Sequence, residues 1–107
     1  YKRQMDDLQL LAKDTRTLYG AEAKYLVALQ WYNAGNYASA EKEILNFIDQ
    51  STPHAYWLAR SFILLSDVYV AMDKKLDARQ YLLSLQQNYQ ADDDIASMIN
   101  ERLEKLK

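Results

Sequence analysis

Cysteine is absent from the 107 residues, which excludes a disulfide framework, a thiolate metal site and a cysteine nucleophile and leaves the redox compartment open. Glycine occurs twice and proline once, too seldom for the many tight turns of an all-β domain. Such a composition suits a few long helices with short connections. No stretch is long and uncharged enough to read as a membrane span, so no direct membrane insertion is expected. Neither sign of charge is in excess: 13 Lys and Arg against 15 Asp and Glu leave a formal −2, which gives no general attraction to nucleic acid or an anionic bilayer. What is present is apolar substance. Half of the residues are hydrophobic, which excludes disorder of the low-hydrophobicity kind. A chain of this size withdraws roughly 60 to 65% of its unfolded surface from water, enough for a core. It opens at Tyr1 with no initiator Met and no basic-then-apolar leader, and so reads as part of a longer or processed protein.

Hydrophobic periodicity predicts six helices and no strand. Residues 1–19 carry Met5, Leu8, Leu11 and Ala12 at helical spacing, and Gly20 marks the boundary that follows. Over residues 21–34, Tyr25, Leu26, Ala28, Leu29, Trp31 and Tyr32 recur at helical intervals, and Gly35 stands where a left-handed residue would end the helix. Asn36 then caps a run in which Tyr37, Ala40, Ile44, Phe47 and Ile48 form one stripe. Thr52 as N-cap and Pro53 at the first helical position open the next helix. That helix, through Met72, is apolar on nearly every side, with Trp57, Phe62, Leu65, Val68 and Tyr69 among others, which predicts a central element covered on both flanks. After the polar turn Asp73-Lys74-Lys75 comes a helix with Leu76, Ala78, Leu82 and Leu85. Asp92 to Asp94 then lead in a last one with Ile95, Met98, Ile99, Leu103 and Leu106 on one stripe, expected to cap the fold, its polar outer face supplied in part by Glu101, Arg102, Glu104 and Lys105.

A shift of 38 residues superposes like on like: Ala28 on Ser66, Trp31 on Tyr69, Tyr32 on Val70, Ala40 on Ala78, Ile44 on Leu82 and Phe47 on Leu85. Small matches small and large matches large, the signature of stacked helical hairpins that each need a neighbour to cover a second apolar face. In Ala28, Trp31, Tyr32, Gly35-Asn36-Tyr37, Ala40, Ile44 and Thr52-Pro53 the chain resembles the tetratricopeptide repeat family. Ser66, Tyr69, Ala78, Leu82 and Leu85 form a second copy, with Asp73-Lys74-Lys75 in place of the glycine-bearing turn. The resemblance implies an all-α fold, a right-handed superhelical stack of antiparallel hairpins with a C-terminal capping helix. It divides the chain into a preceding partial repeat (1–19), repeat one (21–52), repeat two (53–90) and a cap (92–107). The family period is about 34 residues, and the additional four fall before Ala59, where about one turn lengthens the central helix without rotating its face. Longer repeats ending in a phrase such as Asn88-Tyr89 are similar to those of bacterial cell-envelope assembly proteins, which places the envelope or periplasm ahead of the cytoplasm as the expected compartment.

Little in the sequence carries reaction chemistry. Asp92-Asp93-Asp94 offers carboxylates of the kind hard cations take, but consecutive residues at a helix start splay about 100° apart and read as a helix lead-in. His54, the single histidine, has no Cys, Asp or Glu at metal-motif spacing. Ser51, Ser61, Ser66 and Ser84 lie in no nucleophile context, and two isolated glycines make no phosphate loop. Nine tyrosines and two tryptophans lack the basic groove that a nucleobase platform needs. The expectation is therefore a protein without catalytic residues, metal or cofactor.

In the resembled family the A helices supply the concave, ligand-bearing surface. Carried across, this gives Glu22, Tyr25, Leu29, Tyr32 and Asn33, with Arg60, Ile63, Asp67 and Val70 at the matching places of repeat two. Members that grip a terminal carboxylate have Lys and Asn where this chain has Tyr25 and Leu29, so that mode is not expected. The function implied is a scaffold binding a peptide or protein through Tyr and polar anchors. The alternative is a structural segment that self-associates as a homo-oligomer, or caps a longer solenoid, with no external ligand.

Overall fold

The computed structural model describes residues 9–50 and 52–106, which are entirely helix and connection, with no strand among them. Met5 and Leu8 of the expected first helix, and Ser51, lie outside the described residues. After helical residues 9–11 come α1 (Leu18–Asn33), α2 (Tyr37–Asp49), α3 (Ala55–Ala71), α4 (Lys75–Asn88) and α5 (Ile95–Lys105). Among the described residues no helix is long and apolar enough to cross a membrane.

Two helix starts differ from the sequence expectation. The boundary expected at Gly20 is displaced: helix ends at residue 11, turns occupy 12–17, and α1 begins at Leu18 with Gly20 inside its first turn. The cause is Thr17, whose hydroxyl accepts the Gly20 N–H at 2.9 Å and so nucleates the helix three residues early. Glycine is needed there for another reason, because a Cβ at position 20 would overlap the Asp14 carbonyl. The second displacement concerns Thr52 and Pro53, which precede the helix instead of opening it, His54 being the N-cap of α3. Thr52 spends its hydroxyl elsewhere, donating to the Thr15 carbonyl at 2.6 Å while accepting the His54 N–H at 3.2 Å. His54 Nε2 lies 3.0 Å from the Arg16 carbonyl oxygen, and the Thr15 hydroxyl donates to Gln50 Oε1 at 2.8 Å. These contacts staple the 12–17 turn to the α2–α3 connection.

The 38-residue register recurs in the backbone. At the end of α1, Gly35 N–H donates to the Tyr32 carbonyl and Asn36 N–H to the Trp31 carbonyl, with Gly35 at φ 79°. At the end of α3, Asp73 N–H donates to Val70 and Lys74 N–H to Tyr69, with Asp73 at φ 61°. Both are Schellman turns. A turn without glycine thus has the conformation of the one with it, and the strain of a left-handed residue is carried by Asp73, a residue type that tolerates it better than most. Asn36 additionally caps α2, its side chain accepting the Ser39 N–H at 3.4 Å.

Packing follows from the apolar stripes. α1 pairs with α2 and α3 with α4, while α3 also lies against α1 and α2. Tyr25 and Ala28 of α1, Ala40 and Ile44 of α2, Leu64, Leu65, Val68 and Tyr69 of α3, and Ala78 of α4 share one core. The four positions kept small by the repeat, Ala28, Ala40, Ser66 and Ala78, are each at most 1% exposed, so neighbouring helices approach closely at each. A second core joins Ala59 and Ile63 of α3 to Leu82 and Leu85 of α4 and Ile95 and Ile99 of α5. Met98, Leu103 and Leu106 pack against it, so the stripe expected on the last helix is the one it buries. Arg102 is the exception, turned inward instead of sharing the polar outer face. Its place, three residues after Ile99 and four before Leu106, puts it on the edge of the buried stripe.

The paired turns make a test. Gly35→Ala forces a Cβ into the left-handed region and should cost about 1 kcal/mol, whereas Asp73→Gly relieves strain and should gain a few tenths to about 0.5 kcal/mol. Urea denaturation of the two variants reads both signs, and a destabilised Asp73→Gly would contradict the equivalence of the turns.

Candidate binding cleft

A cleft of about 400 Å³ opens between the C-terminal ends of α1 and α3 and the last turns of α5. α1 contributes Tyr32, α3 contributes Ser66, Asp67 and Val70, and α4 contributes its first residue, Lys75. α5 forms the opposite wall with Glu101, Arg102 and Lys105, beside Leu106.

An ion pair joins this wall to α3. Arg102 Nε donates to Asp67 Oδ1 at 2.9 Å and Nη2 to Oδ2 at 3.1 Å, a two-pronged contact with both side chains about one-quarter exposed. Arg102 Nη1 also donates to the Met98 carbonyl at 3.3 Å, which fixes the guanidinium against its own helix. Tyr32 stacks obliquely on Tyr37, ring centroids 5.6 Å apart. Burial and then the Asp67 charge raise its phenol pKa above the ordinary range, so Tyr32 stays a neutral O–H at the cleft. Ser66 is 1% exposed and its hydroxyl has no hydrogen-bond partner.

Of the nine residues expected on the binding surface, three meet in this cleft and six lie outside its lining. Tyr32, Asp67 and Val70 line this cleft together. Tyr25 and Arg60 meet at a different place, where the guanidinium carbon sits 5.1 Å over the Tyr25 ring and 5.8 Å over that of Trp57, and Nη2 reaches the Tyr25 hydroxyl at 3.4 Å. Tyr25 is 7% exposed and Ile63 1%, both core residues with little or nothing to offer a partner. Leu29 packs on the first core, Glu22 is half-buried and Asn33 exposed. The register placed all nine on one side of the A helices; depth within that side depends on α3 and α5 packing, which the register does not encode. Glu101, Arg102 and Lys105 line the cleft from α5, where the repeat register does not extend, and Lys75 lines it from the start of α4. For Arg102 the signal was its place on the α5 stripe.

Elsewhere the polar groups hold helices together. Lys24, only 9% exposed, reaches Asn46 Oδ1 and Glu43 Oε2, each at 2.8 Å, tying α1 to α2. Of the aspartates leading into α5, Asp93 accepts the Ile95 N–H at 2.9 Å and the Tyr89 hydroxyl at 2.6 Å, and Asp94 accepts from Tyr56 at 3.0 Å. Burial, then the Asp93 hydrogen bond, push the Tyr89 phenol up to about 12. Among the described residues no group of three or more His, Asp or Glu is placed to hold a metal ion.

Comparison with protein-family models, with curated proteins and with solved structures gives no match. What the cleft does has to be read from its own residues.

The Asp67–Arg102 pair sets the position of the α5 wall. A double-mutant cycle with Asp67→Asn and Arg102→Gln should give a coupling of about 1 kcal/mol at low salt, shrinking as salt screens the partly exposed pair. A coupling near zero at low salt would mean that α5 is held by its apolar stripe alone.

Proposed function

We propose that this chain is a non-enzymatic, tetratricopeptide-like interaction module that scaffolds a complex by holding a segment of a protein partner in the cleft between α1, α3 and α5. The observation that carries the reading is the cleft itself. It gathers Tyr32, Asp67 and Val70 of the expected surface, and sets the apolar Val70 and Leu106 beside charged and hydrogen-bonding groups. That mixture suits a peptide, whose apolar side chains need area and whose polar groups need partners. The recurrence of one hairpin, down to the φ of Gly35 and Asp73, supports a repeat architecture of the tetratricopeptide kind.

One observation favours a second reading. Leu10, Leu11, Leu18 and Tyr19, all more than half exposed, lie within ten residues of sequence, and such a group is a candidate for self-association.

The test separates the two. Val70→Arg places a long cation in the cleft from a position 37% exposed. Affinity capture with wild type and variant, both checked by circular dichroism, should show a partner enriched at least about ten-fold by wild type and lost with Val70→Arg. An unchanged partner profile contradicts the cleft as the binding site. A dimer by light scattering that Leu18→Ser with Tyr19→Ser dissolves would establish the second reading instead.

A further inference from the structure

The proposed protein-binding cleft also has a pronounced chemical bias, visible in which of its hydrogen-bonding groups are already occupied. Its inner acceptor is committed: both Asp67 oxygens take Arg102. Its donors are not. Lys75 enters no ion pair among the described residues, and Lys105 meets Glu101 only across 3.9 Å, with both side chains largely exposed. The formal charges of the lining, Lys75, Arg102 and Lys105 against Asp67 and Glu101, leave one positive charge in excess on a chain whose net charge is −2. Val70, Leu106 and the Tyr32 ring line the same space without charge.

Resting on the proposed function above, we infer that the cleft selects a partner segment by an acidic side chain, an Asp or Glu whose carboxylate is received by Lys75 and Lys105 while a neighbouring apolar residue lies on Val70 and Leu106. A basic segment would bring a fourth cation beside Lys75, Arg102 and Lys105. A neutral one would cover Lys75 without pairing it. Only an anion turns the unspent donors into charge-assisted bonds.

The test uses the full chain, isotopically labelled for NMR, and three short peptides: acetyl-Leu-Glu-Leu-amide, acetyl-Leu-Gln-Leu-amide, and acetyl-Leu-Gln-Leu with a free carboxyl terminus. The expected result is saturable shifts at the Ser66, Val70, Lys75 and Lys105 amides, with the Glu peptide bound about ten-fold more tightly than the neutral Gln peptide. Lys75→Gln with Lys105→Gln should reduce that preference to about two-fold with an otherwise unchanged spectrum. Raising NaCl from about 50 mM to about 500 mM on wild type should shrink it likewise, a check that needs no variant. Equal binding of the Glu and neutral Gln peptides overturns the acidic selection while leaving the cleft a peptide site. Binding of the free-terminus peptide as tight as that of the Glu peptide overturns the side-chain assignment in favour of a chain end. Absence of saturable shifts at these amides with all three peptides overturns both this inference and the cleft as the binding site.

Discussion

Helix α3 has to be covered on every side, and the rest of the molecule is arranged to do it. Of its residues Ala59, Ser61, Ile63, Leu64, Leu65, Ser66, Val68 and Tyr69 are buried, and these positions circle the helix instead of forming a stripe. One hairpin cannot hide them. α4 covers one flank, α1 and α2 cover another, and α5 closes what remains. Each contact depends on small residues where the backbones come close. At those places a methylene more would cost roughly 1 to 3 kcal/mol, a large share of the stability of a small domain.

The same constraint explains the cleft. α5 is drawn onto α3 and α4 by Ile95 and Ile99, which are buried at its start, and its last turns are steered by Arg102 onto Asp67. The helix therefore does not lie flush against α1. The space left between its last turns and the ends of α1 and α3 is lined by whatever those ends carry, including Tyr32, Ser66 and Val70. One face of α5 thus closes the core while another walls the cleft, and the ion pair that joins α5 to α3 also occupies the cleft's strongest acceptor.

What could be read from the amino acids depended on how local the cause was. The all-helical content, the central burial of α3, the glycine turn at Gly35 and the stripe on α5 all follow from spacing within a few residues. The turn at Asp73 was legible only through the 38-residue shift, since its sequence lacks the glycine that its conformation calls for. The helix starts were misplaced where a side chain had two competing uses. Thr17 captures Gly20 N–H and Thr52 is drawn away to Thr15, a partner distant in sequence. The site was legible in part for the same reason. Tyr32, Asp67 and Val70 are fixed by register, whereas the depth of Tyr25 and Ile63 and the inward turn of Arg102 depend on contacts between distant segments, and no pattern within a helix records those.

If α3 is the element on which both hairpins depend, the domain cannot lose one hairpin and keep the other. Native-state hydrogen exchange across a denaturant series measures this directly. The account predicts that the amides of Leu64, Leu65 and Val68 are among the slowest and that those of Ile44 in α2 and Leu82 in α4 merge with them into one global unfolding isotherm. Exchange of the α3 amides through a smaller opening, while α2 or α4 keeps its protection, would contradict it.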